Sequence, residues 1–399
     1  MDGFAAAIPR TDRGKGGCGG SPGDAWMTSA PISMRPMPDS PAASAVPRGM
    51  PRAMGIALAF SALAVCAAAG ESGDKRLKYE KNLYDGVQYL KNNQPDDIPT
   101  AIARFREARK LRPGAAAPNY WIALAQCANR QYSIAEGDAR EAVGIAGDSF
   151  PEAYLLLGQL YLIGRKYDEA IQQLERADAV FAERLRQAGR PVEAYPDKER
   201  ILARFNLGRA LYHRAVETPG MDPEAKIGDL ALAEEHLRYA ANRLAGDGAP
   251  PGLDDVALET TMYRGHCLYA AGNWTQASIF YNFAVADPRA PFNPEPPFRY
   301  GLAERRKQQF YYAASAFKLV NQRIDYHNSR LPPGAAPMPA NAEAYLQLGS
   351  LYLRDYPNIA VAWQELRNFL VAAGSRHPWH GQVKEYLEKN DPLSRAPPP

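Results

Sequence analysis

The sequence predicts an all-α fold: an α-solenoid of about seven antiparallel helix hairpins with a C-terminal capping helix. Two observations carry this. Small residues recur at a near-constant interval, with Ala101, Ala135 and Ala170 spaced by 34 and 35 residues and Ala277 and Ala313 by 36; an interval of that size is one helical hairpin. Around these anchors apolar residues fall three and four apart, which places them on one helix face. A hairpin with two apolar faces cannot bury both alone, so the pattern implies a stack.

The chain opens with a different composition. Residues 1–49 are dominated by Gly, Pro, Ala, Ser and Met without apolar periodicity, and such a stretch cannot offset the entropy of ordering it. It is expected to be disordered or an untranslated extension, since Met34, Met37, Met50 and Met54 all offer alternative starts. Residues 50–69 follow the three-part plan of a secretory signal: Arg52, the uncharged apolar run from Ala53 to Val65, and the small residues Ala67-Ala68-Ala69 as an A-x-A site. The run is short and Ala-rich for a spanning helix, which leaves an uncleaved anchor as a second reading. Leu63-Ala64-Val65-Cys66 also resembles a lipobox and makes Cys66 a candidate for lipidation, although Val65 stands where that motif has a small residue.

The rest is ordinary globular sequence. The chain is 46% hydrophobic and 23% charged, so residues 80–390 are expected to fold as one helical array and 391–399, ending in Pro397-Pro398-Pro399, to fray. Net charge is +3, and residues 1–69 contribute six bases against four acids. The remainder is close to neutral, without the basic stripe of a nucleic-acid binder. Cys127 and Cys267 sit singly in helical patterns and are expected to be buried free thiols.

The clearest unit runs from Pro151 to Ala177, with Tyr154, Leu157-Gly158, Tyr161, Tyr167, Ala170, Leu174 and Ala177. Gly158 and Ala170 are small where two helices would cross, which lets the backbones approach to about 8–10 Å. This unit resembles the tetratricopeptide repeat family, in which an aromatic, a Leu-Gly pair and a Tyr mark the first helix and a small-large-small triplet marks the second. Other copies follow. Ala101, Phe105, Ala108 and Pro113 match a second helix, while its first helix around Tyr84–Tyr89 is off-register; Trp121, Ala135 and Ala142 form a looser copy. Leu207-Gly208 with Ala233, Leu237 and Ala240 forms a fourth, and Gly265, Leu268, Ala277, Tyr281 and Ala284 a fifth. Gly301 with Ala313 and Phe317 gives a sixth, Tyr345, Gly349, Tyr352, Ala362, Leu366 and Phe369 a seventh, and Gln382–Lys389 the capping helix. Pro191–Pro196, Glu217–Pro223 and Leu331–Pro339 read as inserted connections.

In the family, partners lie along the surface lined by first helices. Aligning Gly158, Gly208, Gly265, Gly301 and Gly349 implies that Arg209, Tyr212, His213, His266, Tyr269, Arg305 and Arg306 line that surface. Arg, Tyr and His suit a peptide with acidic and aromatic groups. Leu155 and Gln159 do not supply the clamp that chaperone-binding members use for a terminal carboxylate.

Motifs for catalysis or phosphate binding are lacking. His377-Pro378-Trp379-His380 has two imidazoles but no adjacent Cys or carboxylate pair, so no metal is assigned. Asp96-Asp97 and Asp254-Asp255 stand where helices start and read as caps. The expectation is a non-enzymatic, cofactor-free scaffold for a protein or peptide, periplasmic or outer-membrane-associated, attached to a membrane if Cys66 is lipidated or the signal is uncleaved. The alternatives are an accessory subunit of an envelope polysaccharide or peptidoglycan enzyme, and a cytoplasmic adaptor.

Overall fold

A computed structural model describes residues 73–92, 96–192, 195, 197–245 and 249–391. The expected extension 1–49, the signal segment 50–69 with Cys66, and the tail beyond residue 391 lie outside the described residues. Within them are fifteen α-helices and no strand. In chain order these are α1 (Gly73–Asn92), α2 (Asp97–Leu111), α3 (Ala116–Ala128), α4 (Tyr132–Ala146), α5 (Pro151–Ile163), α6 (Tyr167–Gln187), α7 (Lys198–Glu217) and α8 (Pro223–Leu244). They continue with α9 (Asp254–Ala270), α10 (Trp274–Ala286), α11 (Glu295–Arg306), α12 (Phe310–Asn328), α13 (Ala342–Arg354), α14 (Ile359–Ala373) and α15 (His380–Asn390).

Consecutive helices pair as seven hairpins and α15 is left over as the cap. The chain divides at residue 284 into two compact units, the first ending in the last turn of α10. Each is a stack of hairpins: α1 to α10 in the first, α11 to α15 in the second.

The anchors seen in the sequence form the seam of each hairpin. Ala101, Ala135, Ala170, Ala233, Ala277, Ala313 and Ala362 are all fully buried. Four residues on, Phe105, Leu174, Leu237, Tyr281, Phe317 and Leu366 reach across to a glycine of the first helix. At Gly208 a Cβ would stand 2.7 Å from Leu237 Cγ and 3.0 Å from the Ala233 carbonyl oxygen. No side chain fits there, so the small residue is a condition of the crossing. The first hairpin obeys the same rule through Gly86, whose added Cβ would stand 2.5 Å from the Phe105 ring. Its apparent off-register reading came from the neighbouring tyrosines. The second hairpin places alanine at both spots, Ala123 and Ala139, each fully buried.

Four hairpins turn in the same way. Arg130, Arg165, Gly272 and Gln308 take left-handed backbone, with φ of 58°, 58°, 82° and 62°. The following amide reaches back five residues, as in Gln131 N to Gln126 O at 2.8 Å and Lys166 N to Tyr161 O at 2.9 Å. This Schellman closure satisfies carbonyls that the helix end leaves open.

The expected caps differ in detail. Asp96 makes no capping hydrogen bond, and Leu253 takes the N-cap of α9, which moves Asp254 and Asp255 into the first turn. They oppose the helix dipole there without capping it. Side chains that do cap include Asp197, Asp222, Asn273, Asn341 and Asn358. The connection through Leu331–Pro339 is tied down at its far end, since Asn328 both donates to the Met338 carbonyl and accepts from the Met338 amide at 2.7 Å. Cys127 and Cys267 are free and buried, and burial pushes both thiols up to about 12, which leaves them unreactive. On α15, Val383 and Leu387 close the end of the stack against Leu366 and Phe369.

Candidate functional site

The first helices α7 and α9, with the second helices α6 and α10, bring four tyrosines and two histidines of the first unit into one ladder. It begins at Tyr167, whose ring stacks on His213 at 5.9 Å and 12°. Glu217 lies one helical turn beyond His213 and binds both. The Tyr167 hydroxyl donates to Glu217 Oε2 at 2.5 Å and His213 Nδ1 meets Oε1 at 2.8 Å. The hydrogen bond from His213 holds the Glu217 carboxyl down at about 2, against the opposing effect of its own burial. Burial and then this carboxylate raise the Tyr167 phenol above its ordinary range.

An ionised carboxylate only accepts, so Nδ1 of His213 carries the proton. In the neutral imidazole Nε2 is then an acceptor, and the Tyr263 hydroxyl stands 3.1 Å away to donate. Tyr263 meets His266 edge-on at 5.4 Å, and Tyr212 stacks on His266 at 5.7 Å and 28°. His266 Nδ1 finally meets the Tyr281 hydroxyl at 2.9 Å. Arg209 closes the cluster, its guanidinium 5.2 Å from the Tyr263 ring centroid and 5.3 Å from that of Phe205. Its nearest carboxylate is Glu259 at 4.0 Å, and its Nε is buried without a hydrogen-bond partner.

The predicted residues therefore divide. Arg209, Tyr212, His213 and His266 come together, and His213 remains 23% exposed while His266 is 9% exposed. Tyr269 is half-buried on the same helix, outside the ring contacts. Arg305 and Arg306 belong to the second unit. Arg305 is engaged there, donating to Asp355 at 3.0 Å, Gln347 at 2.7 Å and Ser350 at 2.9 Å; Arg306 is exposed. Tyr167, Glu217, Tyr263 and Tyr281 were not expected at the site. His213 and Glu217 are four apart, a spacing that pairs side chains on one helix face, and that was the available signal.

The order hydroxyl, imidazole, carboxylate is also that of an activated nucleophile. Here the phenol is Tyr263 in the interior of α9, where the backbone amides are spent in the helix and none turns toward a developing oxyanion. The open depression beside the ladder gives no better case. It is lined by Asp168, Arg214, Met221, Asp229 and Leu232, and Arg214 already donates to both Asp229 and Asp168 at 2.7 Å. His377, one of the two imidazoles near the C-terminus, meets Glu343 at 3.2 Å and sets its ring edge-on to Phe369.

No family model matches the sequence, and no curated protein does. Solved structures of repeat proteins resemble the chain in part. YrrB, described as a TPR protein with an unusual peptide-binding site, is 17% identical, covering 57% of this chain and 98% of its own at a TM-score of 0.38. PilF of Pseudomonas aeruginosa is 17% identical over 66% of this chain and 95% of its own at 0.43. A tetratricopeptide repeat protein from Parabacteroides merdae is 11% identical over 80% and 100% at 0.45. These likenesses are distant, and the fold rests on the hairpin seams described above. By those seams each unit is a stack of helical hairpins of the tetratricopeptide-like kind.

Proposed function

We propose that the chain is a non-enzymatic scaffold whose ladder face, on α7 and α9, holds a peptide or a partner domain, and that it does so in the cell envelope. The observation that carries this is the joining of Arg209, Tyr212, His213 and His266 from two successive first helices into one partly exposed, mixed aromatic and cationic surface. Rings held rigidly by their neighbours lose little entropy on binding, and Arg and Tyr supply both contact area and directed hydrogen bonds. Envelope location draws its support from the signal-like composition of residues 50–69. Among the described residues no helix is long and apolar enough to cross a membrane, so attachment would rest on Cys66 or on an uncleaved signal.

A polysaccharide-recruiting role would call for free ring faces in this surface. Instead Tyr212 stacks on His266 and Tyr263 is boxed between two histidines and Arg209, which favours the peptide reading. The test is quantitative affinity purification from the native host, comparing the wild-type chain with Tyr212→Ala and His266→Ala. One protein depleted at least tenfold by both substitutions supports the proposal. Identical recoveries from all three chains would remove it.

A further inference from the structure

A second cluster of charge lies on α6, α7 and α8, and the scaffold reading does not use it. Three guanidiniums surround the ring of Tyr239: Arg200 at 4.8 Å from its centroid, Arg204 at 5.0 Å and Arg243 at 4.7 Å. Each cation is attracted to the ring, but the three repel one another. Asp178 offsets part of that repulsion, with its two oxygens 2.9 Å from Arg200 Nε and 2.8 Å from Arg204 Nε. Arg200 is only 2% exposed and donates as well to the Val192 carbonyl and the Tyr239 hydroxyl. Arg204 meets His236 Nδ1 at 3.0 Å. Burial and then the Arg204 charge push that imidazole down to about 4, so it is neutral at pH 7 and accepts at Nδ1.

Arg243 is left over. Among the described residues no carboxylate lies within ion-pair distance of it, its guanidinium lies over the Tyr239 ring, and its Nε is buried with no hydrogen-bond partner. Arg204 Nε keeps its ion pair with Asp178 at 2.8 Å without being aligned for a hydrogen bond to it. Among the described residues the other nearby acids do not pair with Arg243: Asp197 caps the Arg200 amide at the start of α7, and Glu235 is exposed. An enclosed cation without a counter-charge is costly. A buried polar atom lacking a partner in a native fold calls for an explanation, and an ion or water that completes it is one. The cluster is open to entry, since Arg204 is 18% exposed and Arg243 half-buried.

We infer that Arg204 and Arg243, backed by Tyr239, form a binding site for a phosphate-type oxyanion, either free phosphate or the head of a phosphate monoester. The planar Arg243 guanidinium presents a forked N–H pair that matches tetrahedral oxygens, Arg204 adds the N–H groups that Asp178 and His236 leave over, and a dianion supplies a counter-charge for Arg243.

The test is calorimetric titration of the full chain with inorganic phosphate and with glycerol 3-phosphate, ionic strength held constant with chloride, alongside thermal denaturation in each salt. The site predicts saturable binding of at least one of the two and a rise in Tm that chloride does not give. Arg243→Gln should weaken binding by about tenfold or more, and Arg243→Lys should recover only part, because an ammonium lacks the fork. Equal affinity for both ligands means that the free ion suffices; tighter binding of the monoester means that the anion is carried on a larger molecule. Absence of binding by both ligands, or undiminished binding in an Arg243→Gln chain that circular dichroism shows to be folded, overturns the inference.

Discussion

Tyr212 and Arg305 occupy the same place in the repeat, four residues after Gly208 and Gly301 respectively, and the two units use that place in opposite ways. In the first unit Tyr212 lies against His266 in a surface that keeps part of its rings exposed. In the second, Arg305 is enclosed by Asp355, Gln347 and Ser350 and acts as a brace between α11 and α13. Register decides which face a side chain is on. Whether it is available for a partner depends on what a distant helix places beside it, and here an aspartate fifty residues on takes up the arginine.

The comparison can be broken most forcefully from the second unit. Phe369 is fully buried against Leu366, Val383 and Leu387, and Phe369→Ala should cost about 3–5 kcal/mol in denaturant unfolding while partner binding by the folded chain is retained. Loss of binding in the still-folded variant would show that the ladder does not act alone.

The paired positions come next. Arg305→Ala leaves the Asp355 carboxylate without its cation and should lower stability by about 1–3 kcal/mol with no change in partner affinity. Tyr212→Ala should do the reverse, costing about 1 kcal/mol of stability and about 2 kcal/mol or more of binding. If both substitutions move the same quantity, the two positions are not different in kind.

The ladder should also announce itself in acid. The Glu217 carboxyl is held at about 2 against 4.5 for the ordinary group, so the unfolded chain binds its proton first. The stabilisation is fully present above about pH 4.5 and is lost as pH falls toward 2. Glu217→Gln should flatten that part of the stability profile by on the order of 2 kcal/mol, allowing for solvent screening. An unchanged slope would mean that His213 and Tyr167 do not hold the carboxylate in solution. The smallest effect belongs to the shared turn: Gln308, at φ 62°, should tolerate Gly with a gain of about 0.5–1 kcal/mol in Tm-derived stability, and a loss would contradict the left-handed assignment.

Much of the fold could be read from the sequence because the seam rule is local. A small residue on the first helix and a small-large-small set on the second recur whatever lies between them, and Ala233 and Ala362 kept their places despite long insertions. Gly86 is masked in the sequence pattern because Tyr84 and Tyr89 on either side suggest a neighbouring register. The site was legible only in half. Arg209, Tyr212, His213 and His266 follow from register, but Tyr263 lies two residues before Gly265 and Tyr281 sits at a seam position. Neither place marks a surface residue, and their hydroxyls join the site by meeting the imidazoles of His213 and His266. The tie from Arg305 to Asp355 has no local signal at all.

The most direct measurement is photo-crosslinking in living cells of the native host, with a photoreactive phenylalanine at position 269, beside the ladder on α9, and as a control at position 227, where Ile227 is exposed on α8. The ladder account predicts a discrete adduct from position 269 that is absent from position 227 and disappears when Tyr212→Ala is added. An adduct from 227 with none from 269 would place the partner on the opposite kind of helix and contradict it.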